Sequence, residues 1–115
     1  MKPNIIPIEP LSQVVFVHDY LQLIFHGESF SIYNASTFMH NETEISQGAP
    51  GFCDAIVGLI GQRVNAASSE TEFPLSLSFS NGARFLVLPE AHGARGPEAF
   101  QFVGRNNQIV IEQNA

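Results

Sequence analysis

The sequence LQLIFHGESFSI at residues 21–32 is repeated in pattern, 54 residues further on, by LSLSFSNGARFLV at residues 75–87. Each copy begins Leu-x-Leu-x-Phe, continues through a short polar link that contains glycine, and ends in an apolar-x-apolar pair. Because side chains alternate between the two faces of a strand, the leucines and the phenylalanine of each copy share one face. The pattern predicts two β-hairpins of the same kind, each with its apolar face turned toward the core.

The composition describes a single domain whose surface carries little charge. At 115 residues the chain has the usual length of one domain. Apolar residues make up 44% of it and charged residues 14%, where about 25% charged is typical. The surface must therefore be completed by neutral polar side chains, or be covered in part within an oligomer.

We predict the following organisation for residues 1–115: an extended proline-rich arm over 1–11, a first meander over 13–33, a helix over 50–61 and a second β unit over 62–113. Strands are expected at 13–17, 20–25, 29–33, 62–67, 98–103 and 108–112, besides the second hairpin within 74–88. The polar stretch 34–49 is expected to be a long loop, in which 36–40 is either a short strand or a turn.

One helix is indicated by apolar residues that recur at the helical period. They are Phe52, Ala55, Ile56, Leu59 and Ile60, at relative positions i, i+3, i+4, i+7 and i+8. Pro50 suits the first turn of this helix, and Gly61 suits a left-handed stop after it. Such a short helix depends on packing its apolar stripe against the sheet. Cys53 lies beside the stripe and is expected to be buried.

These elements predict an α+β domain that is mainly antiparallel. Its seven or eight strands are joined by short links, and the one short helix packs on the sheet and covers one face of it. If the repeated hairpins belong to two duplicated units, the domain contains two sheets related by a pseudo-twofold axis. Chance similarity between two amphipathic hairpins is the alternative.

The charge balance favours one kind of partner and disfavours another. Eleven acidic residues against five basic ones give a net charge of −6. Since lysines and arginines do not cluster, we predict no nucleic-acid binding. A basic protein partner, by contrast, would be attracted by the acidic surface.

The cysteine content and the first residues indicate a compartment. A single cysteine forms no internal disulfide, which favours a reducing environment. Residues 1–10 contain three prolines and no long apolar core, so they read as neither a signal peptide nor a membrane span. We therefore predict a cytoplasmic protein that does not act at a membrane.

The sequence lacks the motifs of the common catalytic and cofactor sites. Its four histidines, at positions 18, 26, 40 and 92, do not have the close spacing of a metal site. No Gly-x-Ser-x-Gly elbow and no phosphate-binding glycine loop occurs. We therefore predict no catalytic residue, no metal, no cofactor and a protein that is not an enzyme.

The glycine- and proline-rich stretch 89–98 is the first candidate binding surface. It gathers Glu90, His92, Arg95 and Glu98, and long ordered loops often carry function. The alternative is an ordinary solvated connection in which Arg95 and a glutamate form a weak surface pair.

The second candidate is an acidic patch contributed by two polar links. Its members are Glu42, Glu44, Glu70 and Glu72. If both links lie at the same end of the sheet, these carboxylates form a negative surface for a basic partner. The alternative is a face that only keeps the protein in solution.

The C-terminal half also carries a family resemblance. It contains Leu-Ile-Gly-Gln-Arg-Val at 59–64, Leu-x-Leu-x-Phe-x-Asn-Gly at 75–82 and Glu-Ala-Phe at 98–100. In this order the motifs resemble those of small uncharacterised bacterial domains, some of which are candidate immunity proteins of toxin systems. The resemblance implies a protein-binding role and transfers no catalytic residue, since its motifs are a helix stop, a hairpin turn and a strand start.

The sequence therefore predicts a non-enzymatic protein-binding domain of immunity type, whose protein partner is basic. Low charge and exposed strands also favour a homodimer, in which an edge or a face is covered. The alternative function is a small-molecule binding or enzymatic domain that uses the loop 89–98 beside a pocket. A deep pocket with the loop side chains turned inward would favour that alternative, whereas a flat acidic or apolar surface would favour the protein partner.

Overall fold

The computed structural model describes residues 5–69, 72–89 and 96–114, and these contain ten strands and one α-helix. The strands are β1 Gln13–Phe16, β2 Leu21–Ile24, β3 Ser29–Ile32, β4 Ser36–His40, β5 Thr43–Ser46, β6 Val64–Ser68, β7 Leu75–Phe79, β8 Arg84–Val87, β9 Glu98–Val103 and β10 Ile109–Gln113, and the helix is α1 Phe52–Val57. The fold is mainly antiparallel β with one short helix, as predicted. The expected total of seven or eight strands was too low.

The strands form two five-stranded antiparallel sheets that share one core. The first sheet has the order β1-β2-β3-β9-β10, and the second has the order β5-β4-β8-β7-β6. Both repeated stretches are hairpins: β2 pairs with β3, and β7 pairs with β8. Their alternate leucines and phenylalanines, Leu21, Leu23, Phe25, Leu75, Leu77 and Phe79, are all buried in that core, which confirms the predicted inward faces.

Equivalent rows of apolar side chains cross the two sheets. In the first sheet the row is Val14, Leu23, Phe30, Phe102 and Val110. In the second sheet it is Ala67, Leu77, Phe85, Phe38 and Ile45. In both rows the three central residues are buried and the two outer ones are packed against the core. The second row thus repeats the first, strand for strand.

The two halves of the chain exchange a hairpin. The meander β1-β2-β3 is completed in its sheet by β9 and β10, which come from the other end of the chain. The meander β6-β7-β8 is completed in the same way by β4 and β5. The junction in the first sheet pairs Phe30 with Phe102, and the junction in the second pairs Phe85 with Phe38. Each sheet therefore contains strands from both halves.

The polar stretch 34–49 contains the hairpin that the sequence prediction missed. It forms β4 and β5, which turn at Asn41, a residue with a φ of 58°. The short strand that was one alternative for 36–40 is confirmed as β4, but the long loop around it was wrong. β5 was missed because β4 and β5 carry few apolar side chains. Phe38 and Ile45 supply the apolar contact of this hairpin with the core, and the opposite face carries Thr37, Met39, Glu44 and Ser46.

Helix α1 bridges the two sheets instead of covering the face of one. It packs against β1 of the first sheet and β4 of the second. Phe52, Ile56 and Leu59 are buried as the helical period predicts, but Ile60 is 44% exposed because it lies in the turn after the helix. The helix spans 52–57, shorter than the predicted 50–61, and Cys53 is exposed where burial was expected.

The described part of the N-terminal arm is fastened to the body of the domain. Ile5 and Leu11 are buried in the core. Glu28, which is 7% exposed, accepts a hydrogen bond from the Ile8 backbone N–H at 2.9 Å. The Arg63 guanidinium donates to the Ile8 carbonyl at 2.6 Å, so both backbone groups of Ile8 are held.

A pair of asparagines joins the C-terminal strand to the crossover between β3 and β4. Asn34 Nδ2 donates to Asn114 Oδ1 at 2.8 Å, and Asn114 Nδ2 donates to Asn34 Oδ1 at 3.0 Å. Asn34 is 2% exposed and also donates to the Leu88 carbonyl at 2.9 Å. The amides satisfy each other inside the protein, where an unpaired polar group would be costly.

Among the described residues, no helix has the length and apolar character that crossing a bilayer requires.

Candidate functional site at one end of the first sheet

A cavity opens at the end of the first sheet where the β1–β2 turn, the end of β3 and the start of β9 meet. The registers bring these together, since Phe16 pairs with Leu21, and Ile32 pairs with both Leu21 and Phe100. The cavity has a volume of about 420 Å³. Its described walls are Asp19, Tyr33, Gly96, Pro97, Glu98 and Gln101, and we call it the Tyr33 cavity.

The aromatic wall of the Tyr33 cavity is held by backbone pairing and by a second ring. The Tyr33 N–H donates to the Ala99 carbonyl at 3.0 Å, which extends the pairing of β3 with β9. The ring of Tyr20 lies beside that of Tyr33, with 5.7 Å between centroids and a tilt of 46°. Tyr33 is half-buried, so part of its ring remains available to a ligand.

The wall formed by Gly96 and Pro97 is held by the asparagine pair. The backbone N–H of Asn114 donates to the Pro97 carbonyl at 2.8 Å, and its side-chain amide donates to the Gly96 carbonyl at 2.7 Å. Asn114 is in turn held by Asn34. The cavity is therefore built on a hydrogen-bonded support that reaches the interior of the domain.

The described walls of the Tyr33 cavity carry negative charge only. Asp19 and Glu98 both line it, and Glu112 on β10 belongs to the same end of the sheet because it pairs with Phe100. Asp19 lies 3.6 Å from the imidazole of His18, but both side chains are almost fully exposed, so this contact has little effect.

Each arginine among the described residues is engaged within the chain and away from this cavity. Arg63 donates to the Ile8 carbonyl, Arg84 donates to Ser76 Oγ at 3.1 Å, and Arg105 lies 3.5 Å from the Glu28 carboxylate. In contrast, seven described carboxylates form no ion pair with another described residue: Glu9, Glu42, Glu44, Asp54, Glu72, Glu98 and Glu112. The acidic charge therefore remains available to attract a basic partner.

Of the first candidate surface, the loop 89–98, the structure describes residues 89 and 96–98. Glu90, His92 and Arg95 lie outside the described residues. Glu98, the remaining member, is the first residue of β9, is half-buried and lines the Tyr33 cavity. The loop thus leads directly into the wall of this cavity.

The described members of the second candidate surface do not come together. Glu42 lies at the turn after β4, and Glu72 lies before the start of β7. Because β4 and β7 both pair antiparallel with β8, they run in the same direction, so these two residues are at opposite ends of the second sheet. Glu44 lies on β5, and Glu70 is outside the described residues. The condition for one acidic patch is therefore not met by Glu42 and Glu72.

Sequence reasoning missed three residues of the cavity wall: Asp19, Tyr33 and Gln101. Each is a typical residue for the structure predicted in its segment, which is a turn for Asp19 and a strand for Tyr33 and Gln101. They converge only because β3 pairs with β9, which follows it by more than sixty positions. No local signal in the sequence gives that pairing.

The histidines and the cysteine do not assemble into a reactive centre within the described ranges. His40 Nε2 lies 3.1 Å from the Asn81 carbonyl and ties the β4–β5 hairpin to the β7–β8 turn. Among residues 5–69, 72–89 and 96–114, no three potential metal-binding side chains lie close enough to hold an ion.

No protein-family model, no curated protein and no solved structure gives a significant match to this chain.

Proposed function

We propose that this protein is a non-enzymatic protein-binding domain whose Tyr33 cavity receives a lysine or arginine side chain of a basic partner. The observation that carries the proposal is the convergence of Asp19 and Glu98 on one cavity beside an aromatic ring. A carboxylate attracts a cationic head group, and the face of a tyrosine ring adds a cation–π contact of about 0.5–2 kcal/mol.

The charge of the whole chain supports the same partner. A net charge of −6 raises the rate of encounter with a basic protein, and this effect weakens as salt is added. The described arginines are occupied inside the chain, which argues against nucleic acid as the partner.

The resemblance of the C-terminal half to candidate immunity proteins suggests the partner's class. On this proposal the partner is a toxin domain, which the protein neutralises by binding in the cytoplasm. The free thiol of Cys53 is exposed, and an exposed thiol is best preserved in a reducing compartment. We also propose that the protein is a homodimer.

Co-purification from the native host, with mass spectrometry of what is recovered, tests the proposed binding. We expect a stoichiometric basic protein on the wild-type chain. The double variant Asp19→Asn/Glu98→Gln should lose at least about tenfold in affinity for it. The matched control is Glu42→Gln/Glu72→Gln, which changes the net charge equally and leaves the Tyr33 cavity intact.

The two variants separate the cavity from general electrostatics. Equal losses in both would refute the cavity as the binding site and leave only long-range attraction. Recovery of the protein alone with a bound metabolite would refute the protein partner.

The second candidate function is the binding of a small cationic molecule at the same cavity. It is favoured by the volume of about 420 Å³, which lies within the range of small-molecule sites. Titration with spermidine, followed by the NMR signals of Tyr33 and Gln101, would show saturable shifts if this function is correct. Shifts that follow ionic strength alone would contradict it.

We further propose that the chain arose by duplication of a unit of five strands. The matching apolar rows and the reciprocal hairpin exchange support this origin, since each unit supplies three strands to one sheet and two to the other.

A further inference from the structure

Four strands lie at the edges of the two sheets, and they differ in how well they are protected from pairing with another strand. These are β1 and β10 in the first sheet, and β5 and β6 in the second. A free edge offers unpaired backbone groups, and proteins usually block it with a charge, a bulge or a covering segment.

Three of these edges carry such protection. Beside β1, Leu11 exchanges backbone hydrogen bonds with the segment Gly61–Gln62, and α1 packs against the strand. β6 has an irregular register between Val64 and Ala66. β5 presents Glu44, which is exposed.

Among the residues that the structure describes, none gives strand β10 this protection along Ile109–Ile111. Ile109 is 58% exposed and Ile111 is 45% exposed, on a strand whose only charged residue is Glu112. In the apolar rows of the two sheets, Val110 of β10 occupies the place that Ile45 has in β5. Ile109 and Ile111 of β10 are therefore equivalent in position to Glu44 and Ser46 of β5. At equivalent places in one chain, the β5 edge is polar and the β10 edge is apolar.

The backbone groups of β10 that are free to pair with another strand belong to the residues with exposed side chains. The Gly104 N–H donates to the Gln108 carbonyl, so residues 108, 110 and 112 share their backbone groups with β9. The N–H and C=O groups of Ile109 and Ile111 therefore point away from the sheet. These are the same two residues whose side chains are exposed.

We propose that β10 pairs antiparallel with β10 of a second copy, about a twofold axis at Val110. This assigns a surface to the homodimer of the proposed function, on which it rests. In this register Ile109 lies opposite Ile111 of the partner subunit, and Ile111 lies opposite the partner subunit's Ile109. About four backbone hydrogen bonds form across the axis.

A second copy fits this edge because the sequence of the strand is nearly palindromic. Gln108-Ile-Val-Ile-Glu112 matches its own reverse, so an isologous pair sets isoleucine against isoleucine and carboxylate against amide. No like charges face each other in this register. A twofold axis at Ile111 would instead place Val110 opposite the partner's Glu112, which is a poorer match.

The interface is small, so the dimer should depend on concentration. It is less extensive than a standard interface of about 800 Å² per partner, and we expect a dissociation constant in the micromolar range. Sedimentation velocity over about 1 µM to about 1 mM brackets that range. We expect Ile111→Lys to raise the dissociation constant at least about tenfold, because each copy then carries a charge beside the axis.

The chain offers a matched control at the equivalent place on the other sheet. Ser46→Lys adds the same charge to the β5 edge and should leave the dissociation constant unchanged. If both variants weaken the dimer equally, net charge is the cause and the proposed surface is wrong. If Phe16→Lys separates the copies and Ile111→Lys does not, the interface lies at β1 and the proposal fails.

Amide hydrogen exchange tests the same surface on the wild-type protein and does not depend on a variant folding. The amides of Ile109 and Ile111 should exchange readily in the dilute monomer and become protected as the concentration rises. Those of Val110 and Glu112 should stay protected throughout.

The remaining outcomes are also decisive. A dimer in which Ile109 and Ile111 stay unprotected would overturn the β10 surface and leave the homodimer standing. A protein that is monomeric at every concentration would overturn both.

Discussion

The asparagine pair beneath the Tyr33 cavity gives the sharpest quantitative prediction. Asn34 and Asn114 form two reciprocal hydrogen bonds, at 2.8 and 3.0 Å, and Asn34 alone also serves the Leu88 carbonyl. A net hydrogen bond is worth about 0.5–1.5 kcal/mol, and a buried group left unsatisfied costs about 1–3 kcal/mol. Asn34→Ala should therefore reduce the free energy of unfolding by about 2–4 kcal/mol.

Asn114→Ala should cost less, because this residue is only half-buried and water can replace part of what is lost. The double variant should cost less than the sum of the two single changes, since either substitution alone already breaks both reciprocal bonds. We expect a coupling energy of about 1–3 kcal/mol between the two positions.

Urea unfolding followed by circular dichroism measures all four proteins of this cycle. With a slope of about 2 kcal/mol per molar, the loss in Asn34→Ala appears as a midpoint lowered by about 1–2 M. Asn65→Ala is the control, since this asparagine is exposed on β6, and it should change stability by less than about 0.5 kcal/mol. A coupling energy below about 0.5 kcal/mol would refute the reciprocal bonding.

Three further substitutions or reactions test other parts of the fold. Glu28→Ala should release the arm, so the Ile8 amide, which now donates to the Glu28 carboxylate, should lose its protection from hydrogen exchange. Gly82→Ala should cost about 1–2 kcal/mol in a urea titration, because Gly82 has a φ of +90°, whereas Gly96→Ala enters open space and should be neutral. Cys53 should react fully with Ellman's reagent in the native protein, because it is exposed.

Each of these expectations has an outcome that contradicts it. An Ile8 amide that stays protected in Glu28→Ala would mean that the carboxylate does not hold the arm. Equal effects of Gly82→Ala and Gly96→Ala would remove the argument from backbone conformation. A Cys53 thiol that reacts only after urea is added would place it in the core.

The strands whose inward face could be predicted from the sequence are those with strict alternation. In 21–25 and 75–79 every second residue is a leucine or phenylalanine, so each segment specifies its own inward face. The hairpin of β4 and β5 does not alternate in this way, because the buried Phe38 and the partly buried Ile45 stand within otherwise weak patterns. Burial there is decided by the neighbouring strand β8, which supplies Phe85 as the partner of Phe38.

The site was predictable only at its margin, since Glu98 was the one predicted residue that lines the Tyr33 cavity. Asp19 and Tyr33 reach it through the pairing of β3 with β9, and a pattern read along the chain does not specify which distant strands pair. The length of the helix was overestimated for a related reason. The period of 52–60 continues past Val57, but the chain there turns to pair Gly61 and Gln62 with Leu11.

The reciprocal exchange of hairpins also has a consequence for how the chain is made and divided. The second sheet has all its strands once β8 has left the ribosome, but the first sheet must wait for β9 and β10, which are made after β8. A cut in the link between Ser46 and Phe52 would yield two fragments, each holding three strands of one sheet and two of the other. Each fragment then needs the strands of the other to complete both sheets, which makes the domain suitable for split-protein complementation.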